Sequence, residues 1–205
     1  MGEITELSVQ KKNKKRVNVH IDGEFVCGLD AFIAVSRGMK VGKEITECEL
    51  NEIQLASDAE AAFNKAAGYL AVRMRSKNEI IRYLQGKGYS NIVIRDVINK
   101  LEKYNYVNDG AFIGEYIKSA AKARSKRRIK ADLIRMGVDE KVADESLDGL
   151  EGQADAAAKA AAKYLKSRVF DKNKLAAHLA SKGFDWDTVR GAVDAAAEGC
   201  GNIYD

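Results

Sequence analysis

The chain has no proline and few of the residues that build disulfide frameworks. Its three cysteines, Cys27, Cys48 and Cys200, are widely spaced and form no C-x-x-C pair, which indicates reduced thiols. No run approaches the roughly 18 apolar residues that span a bilayer. The first residues, MGEITELSV, have neither the basic nor the apolar region of a signal peptide. We therefore expect a cytoplasmic protein with no membrane segment.

Motifs of catalysis and metal binding are also missing from the sequence. Of the two histidines, His20 falls in a predicted strand and His178 in a predicted amphipathic helix, where surface or hydrogen-bonded histidines are commoner than catalytic ones. There is no H-E-x-x-H, G-x-S-x-G or Walker lysine loop. Histidines, cysteines and carboxylates are not spaced as metal ligands. We predict no catalytic residue, no metal site and no cofactor, and an enzyme is the weakest hypothesis.

What the sequence does contain is one pattern that occurs three times. Gly88, Gly137 and Gly183 are spaced by 49 and 46 residues. Each has a leucine four residues before it, an apolar or aromatic residue after it and then a helix-capping residue. These residues are Leu84, Tyr89 and Ser90; Leu133, Val138 and Asp139; and Leu179, Phe184 and Asp185. Repeats of this length indicate one helical unit that is used several times.

Capping signals divide most of the chain into helices. A serine or threonine followed three residues later by glutamate forms a capping box, which begins a helix. Such boxes occur at Thr46 to Glu49, at Ser57 to Glu60 and at Ser76 to Glu79. Asp109 and Ser125 are expected to cap two further helices.

The N-terminal part has the alternation of β-strands instead. Polar and apolar residues alternate over 4–9 and 17–21, and 24–29 follows the hairpin turn Asp22-Gly23. Five of the seven residues from Gln10 to Arg16 are basic, and they lie at a hairpin tip. Whether Lys11 to Arg16 contacts DNA or is a solvated turn stays open at this point.

The predicted fold is mostly α: three tandem three-helix repeats in an elongated, curved array, with a small N-terminal β-hairpin or three-stranded sheet. The predicted boundaries are 1–56 for the β-rich and short-helix region, 57–109 for repeat one, 110–151 for repeat two, and 152–205 for repeat three and the tail. The long concave surface of such an array suits a long partner better than a small ligand.

Basic residues cluster where the first and second helices of each repeat meet. The net charge is only +4, from 34 Lys and Arg against 30 Asp and Glu, so their position matters more than their excess. Solvation of a helix face explains any single lysine, but the repeated cluster favours binding to nucleic-acid phosphate or to an acidic protein groove. The candidate binding residues are Arg73, Arg75, Lys77, Lys122, Arg124, Lys126, Arg127, Arg128, Lys130, Lys163, Lys166, Arg168 and Lys172.

Several short motifs are similar to a known family. They are Tyr69-Leu70, Arg73-x-Arg75-Ser76-x-x-Glu79-Ile80, Leu84, Lys87-Gly88-Tyr89, and Tyr106-Val107-Asn108-Asp109-x-x-Phe112. Met136-Gly137-Val138 and the N-terminal Asp22-Gly23-Glu24-Phe25 extend the similarity over nearly the whole chain. Together these motifs resemble the signature of the bacterial RecX regulatory proteins.

The resemblance implies a function that composition does not. RecX proteins bind the RecA recombinase filament on single-stranded DNA and modulate its ATPase, strand exchange and co-protease activity, usually by inhibition, in recombinational repair and the SOS response. The implied partners are the RecA filament and, through direct contact, DNA, and we expect a monomer. The alternative is a general nucleic-acid-binding helical-repeat protein without a filament partner.

Overall fold

The computed structural model describes residues 1–201, and these form four strands and ten helices. The strands are β1 (Gly2–Val9), β2 (Arg16–Ile21), β3 (Glu24–Asp30) and β4 (Glu44–Ile45). The helices are α1 (Ala31–Ser36), α2 (Glu47–Leu70), α3 (Lys77–Gln85), α4 (Asn91–Lys103), α5 (Asp109–Ala120), α6 (Lys126–Arg135), α7 (Glu140–Leu147), α8 (Gln153–Leu165), α9 (Lys172–Ser181) and α10 (Trp186–Gly201). Over the described residues, no helix combines the length and the apolar character needed to cross a membrane. The last four residues of the predicted tail, 202–205, lie outside the described residues.

The sheet is antiparallel, with the strand order β3-β2-β1-β4. The three strands predicted from alternation are confirmed, and β4 adds a short fourth one that pairs Ile45 with Gly2. Both residues of the predicted turn have positive φ, 50° at Asp22 and 86° at Gly23, as a type I′ hairpin requires. Helix α1 and the beginning of α2 cover the apolar face of this sheet.

Helix α2 corrects one of the predicted helix starts. Its capping box is at Thr46 and Glu49 as predicted, but the helix then continues without a break for 24 residues. The predicted start at Ser57 is wrong: this serine is buried within the helix, and its hydroxyl accepts a hydrogen bond from the backbone N–H of Asp30 at 2.7 Å. The predicted boundary between residues 56 and 57 therefore falls inside α2.

The described part of the chain divides after Val107 into two compact units. The second unit begins with the N-cap of α5, which is Asn108 rather than the predicted Asp109, because the Asn108 side chain accepts from the Ala111 N–H. The first unit holds the sheet and the helices α2 to α4, and the second holds α5 to α10.

Each repeat has three helices and a hydrophobic core of its own. The three cores lie among α2 to α4, among α5 to α7 and among α8 to α10, as the sequence register predicts. The leucine four residues before the repeated glycine is 0% exposed in every repeat, at Leu84, Leu133 and Leu179.

The repeated glycines have the same backbone geometry in all three repeats. Their φ angles are 83° at Gly88, 87° at Gly137 and 85° at Gly183, a left-handed conformation that glycine adopts without side-chain strain. In each case the next residue donates its N–H back to the carbonyl of the repeated leucine, at 3.0 to 3.4 Å. This bond ends the second helix and turns the chain into the third, so the predicted register is confirmed.

Within the second unit, repeats two and three contact each other through the beginning of α6. The buried hydroxyl of Ser125 donates to the Lys182 carbonyl at 2.7 Å, directly before the repeated Gly183. A Cβ at Gly183 would lie 3.1 Å from that hydroxyl, so the lack of a side chain there allows the close approach. Ser125 thus caps α6 and also joins two repeats.

Candidate binding surface at the repeat junctions

The candidate basic residues lie in or next to three equivalent junctions, which we define as residues 71–76, 121–125 and 166–171. Each junction joins the first helix of a repeat to the second. Every candidate lies in a junction or on one of the two helices that it joins. The structure differs from the prediction in how many of these cations already have a carboxylate partner.

A tyrosine and an arginine meet at every junction. The guanidinium of Arg75 lies over the Tyr69 ring at 4.0 Å, and that of Arg168 over the Tyr164 ring at 4.5 Å. In repeat two, Arg124 instead donates to the Tyr116 hydroxyl at 2.8 Å. The residue five before the repeated glycine also contacts this tyrosine, and it differs between repeats: Tyr83 stacks on Tyr69, Asp132 accepts from the Tyr116 hydroxyl, and His178 packs on Tyr164.

The first junction is neutralised by its own acids. Arg73 lies 2.6 Å and Arg75 3.6 Å from the carboxylate of Glu79, and Lys77 lies 2.7 Å from that of Glu102. Burial acts to raise the pKa of Glu79, but the hydrogen bond from Arg73 and the charges of both arginines outweigh it and lower that pKa. These three cations already have partners, which weakens them as contacts for an external anion.

The second junction is organised around one buried carboxylate. Asp132 is 2% exposed although it carries a charge, and buried charges require several partners. Its partners are Arg124 at 2.7 Å, Arg135 at 2.8 Å, Arg128 at 3.5 Å, and the Tyr116 hydroxyl, which donates at 3.1 Å. Burial, followed by the bond to Asp132, raises the pKa of Tyr116. Arg124, Arg128 and Arg135 therefore form one structural cluster around Asp132.

Two further candidates are held by exposed acids. Lys130 lies 2.8 Å from Asp144 and 2.9 Å from Glu140, and hydrogen bonds to both carboxylates raise its pKa. Lys172 lies 3.1 Å from Asp194. Exposed pairs of this kind contribute little to stability, but they reduce the charge that is available to a partner.

Six of the candidates have no carboxylate partner within residues 1–201. We call them the unpaired cations: Lys122, Lys126, Arg127, Lys163, Lys166 and Arg168. All six are exposed, and all belong to repeats two and three. The candidates without a carboxylate partner therefore all lie in or next to the second and third junctions.

Three residues near the third junction were left out of the candidate set. Lys159, His178 and Lys182 line one open cavity with Lys163 and Arg168. The repeat register held a signal for Lys182, since it precedes Gly183 as Lys87 precedes Gly88. Lys159 lies one helical turn before Lys163, whereas nothing local in the sequence separates His178 from an ordinary surface histidine.

The tyrosines of repeat one could stack on nucleic-acid bases, but they serve mainly in packing. Tyr83 stacks on Tyr69 at 4.2 Å and packs against the core of repeat one with Tyr89. Tyr106 is exposed, yet its ring contacts those of Phe63 and Tyr104.

Among the described residues, no group of three or more histidines, cysteines or acids is placed to hold a metal ion.

Comparison with known proteins decides the family. The chain is 32% identical over 202 residues to the regulatory protein RecX of Bacillus licheniformis, covering 94% of this chain and 77% of the relative. It is 30% identical over 203 residues to that of Clostridium tetani, covering 95% and 94%. The chain belongs to the RecX family of regulatory proteins. Residues 2–46 match the regulatory protein RecX N-terminal domain, and residues 62–101 match the first three-helix domain of RecX.

The matched RecX domains coincide with elements of the structure. The N-terminal domain covers all four strands and α1, and the three-helix domain covers the C-terminal end of α2 from residue 62, all of α3 and most of α4. A crystal structure of regulatory protein RecX superposes with a TM-score of 0.66 at 21% identity, covering 95% of this chain and 100% of that one. RecX from Lactobacillus salivarius gives 0.59 at 23% identity, covering 68% and 97%. These likenesses support the fold.

Proposed function

We propose that this RecX-family chain regulates the RecA recombinase by binding its filament on single-stranded DNA, most often as an inhibitor. It acts by binding rather than by catalysis, in the cytoplasm, and it alters the filament's ATPase, strand exchange and co-protease activity. The candidate residues contact acidic groups of the filament or phosphates of the DNA within it.

The observation that carries this proposal is the set of unpaired cations on a RecX-family scaffold. Their side chains are exposed and recur around the same structural point in two successive repeats. Equivalent positions of successive repeats suit a partner that itself repeats, such as a filament. Contacts with several protomers raise the total affinity without any strong single contact.

The unpaired cations would also serve a plain nucleic-acid-binding protein, which is the second candidate function. That protein would bind naked single-stranded DNA at least as well as the filament, and its affinity would fall steeply with salt. Comparing filament with naked DNA therefore separates the two functions.

The proposal predicts the effect of reversing two unpaired cations. The double variant Lys122→Glu/Lys166→Glu changes one residue in the second junction and one in the third. We expect it to weaken binding to RecA–single-stranded-DNA filaments by about tenfold or more, because attraction becomes repulsion at two contacts. Binding is measured by interferometry on immobilised filaments held with a slowly hydrolysed ATP analogue, with naked DNA of the same sequence alongside.

A matched control makes the same change of charge outside the second and third junctions. Lys65→Glu/Lys103→Glu also reverses two exposed lysines that have no ion pair in the described residues, but both belong to the first unit and neither lies in a junction. We expect this control to bind within about twofold of the unchanged chain, the residual coming from net charge. Equal losses in both variants would contradict the assigned surface. Unchanged-chain binding that is no tighter on filaments than on naked DNA would favour the second function.

A further inference from the structure

The third junction lacks the acid that pairs with the arginine at the other two junctions, since its one carboxylate, Asp171, caps α9 and pairs with Lys174 instead. In repeat one, Glu79, nine residues before the repeated glycine, accepts the arginines, and in repeat two Asp132, five residues before it, does so. The equivalent positions in repeat three hold Lys174 and His178. The same tyrosine and arginine are present, but the carboxylate that would balance them is replaced by basic residues.

An open cavity of about 500 Å³ lies beside the third junction. Its lining contains four cations and an imidazole but no carboxylate: Lys159, Lys163, Arg168, Lys182 and His178. None of the four cations forms an ion pair within residues 1–201. Four like charges around one concavity repel each other, and a bound anion would relieve that repulsion.

Tyr164 holds two of these groups in place. The Arg168 guanidinium lies over its ring at 4.5 Å, and the His178 ring packs on it with 4.3 Å between centroids. In the described residues the Arg168 side chain makes no hydrogen bond, so its N–H groups remain available for the paired bonds that phosphate accepts. The contact orders the arginine before any ligand arrives, which lowers the entropic cost of binding.

The surroundings of His178 oppose its protonation. Burial, then the charges of Lys182 and Arg168, lower the pKa of His178 below its ordinary value. Lys159 and Lys163 line the same cavity, and no carboxylate faces it there. An anion placed among these groups would favour the imidazolium and raise the pKa of His178 again, so binding would take up a proton.

We propose that this cavity binds a phosphate group of single-stranded DNA in place of the missing internal carboxylate, and that His178 becomes protonated as the phosphate binds. DNA as the source of the phosphate rests on the proposed function, whereas the phosphate site rests on the cavity itself. Phosphate fits better than a single carboxylate because it offers more acceptor oxygens to the several donors that converge here.

The test is a titration of both histidines by NMR, without RecA. The chain has two histidines, and the His178→Gln variant assigns the two imidazole signals. We expect oligothymidylate to raise the midpoint of His178 by about half a pH unit or more. The other imidazole signal belongs to His20, on a strand of the first unit. The phosphodiester does not titrate near neutrality, so the change reports the protein.

Affinity gives the second readout, with the sign fixed by linkage. Because binding takes up a proton, affinity for oligothymidylate should rise by about threefold as the pH falls from about 7.5 to about 5.5. His178→Gln should lose that pH dependence and keep part of the affinity. Arg168→Gln should lose most of the affinity. Lys174→Gln, an exposed residue outside the cavity that is paired with Asp171, should behave like the unchanged chain.

Inorganic pyrophosphate identifies the source of the phosphate. Shifts of His178 with both ligands, or with the oligonucleotide alone, support the proposal. A shift with pyrophosphate alone overturns DNA as the source, and no shift with either overturns the site. Because RecA is absent, these outcomes are independent of filament binding, which the filament experiment tests separately.

Discussion

Replacement of Asp132 by asparagine should lower the free energy of unfolding by about 2–4 kcal/mol. The side chain is 2% exposed and accepts from Arg124 and Arg135 at 2.7 and 2.8 Å. Asparagine keeps the shape but removes the charge, which leaves the neighbouring arginines to repel each other around a buried amide. Urea denaturation followed by circular dichroism measures the loss, and amide hydrogen exchange in α6 assigns it to the second unit.

Asp144→Asn is the matched control for this prediction. Asp144 also pairs with a base of α6, Lys130, but its carboxylate is exposed to solvent, so the same change should cost about 1 kcal/mol or less. Equal small losses for the two variants would mean that Asp132 does not organise the second junction. Arg124 and Arg128 would then be available for binding.

Truncation of Leu133 to alanine should cost about 2–5 kcal/mol, the range for removing a large buried aliphatic side chain. Leu133 is 0% exposed, and its carbonyl also accepts the bond that ends the second helix of its repeat. Its equivalents Leu84 and Leu179 have the same burial, so their alanine variants should show losses of similar size.

The neighbouring isoleucine provides the control. Ile134 lies on the same helix but is 39% exposed, so Ile134→Ala should cost about 1 kcal/mol or less. The same urea and hydrogen-exchange measurements apply to both variants. If the leucine and isoleucine variants lost the same small amount, Leu133 would not be a core residue of its repeat.

The repeat architecture follows from sequence because its signals are local. The positive φ of Gly137, the N-cap at Ser125 and the burial of Leu133 each depend on residues within a few positions. Propensity and helical spacing report such features directly. The same reasoning explains why three copies of one pattern gave the correct number of repeats.

Features set by distant residues were not predictable in the same way. Ser57 and Glu60 have the pattern of a capping box, but the Ser57 hydroxyl accepts from the backbone N–H of Asp30. Helix α2 continues through Ser57 without a break. The strand β4 exists because Ile45 pairs with Gly2 far away in the chain. Both depend on tertiary packing that local propensity does not contain.

The basic surface shows the same division. The clustering of lysine and arginine in the sequence points to the junctions. The order of charged residues in the sequence does not show which of them are buried. In the sequence, Asp132 is a single acid among many lysines and arginines. The fold buries it and places three arginines around it. In the sequence, His178 is one histidine on a predicted helix face. Only the fold shows that its ring packs on Tyr164 and lines a cavity rich in lysine and arginine.

The central claim is that this RecX-family chain regulates RecA through the filament. The most direct measurement is the single-stranded-DNA-dependent ATPase of RecA with the chain added well below one copy per RecA protomer. The account predicts a clear fall in rate at that ratio, with weak binding to naked DNA at the same salt concentration. An unchanged rate until enough chain is present to coat the DNA would contradict it and would indicate a competing DNA-binding protein.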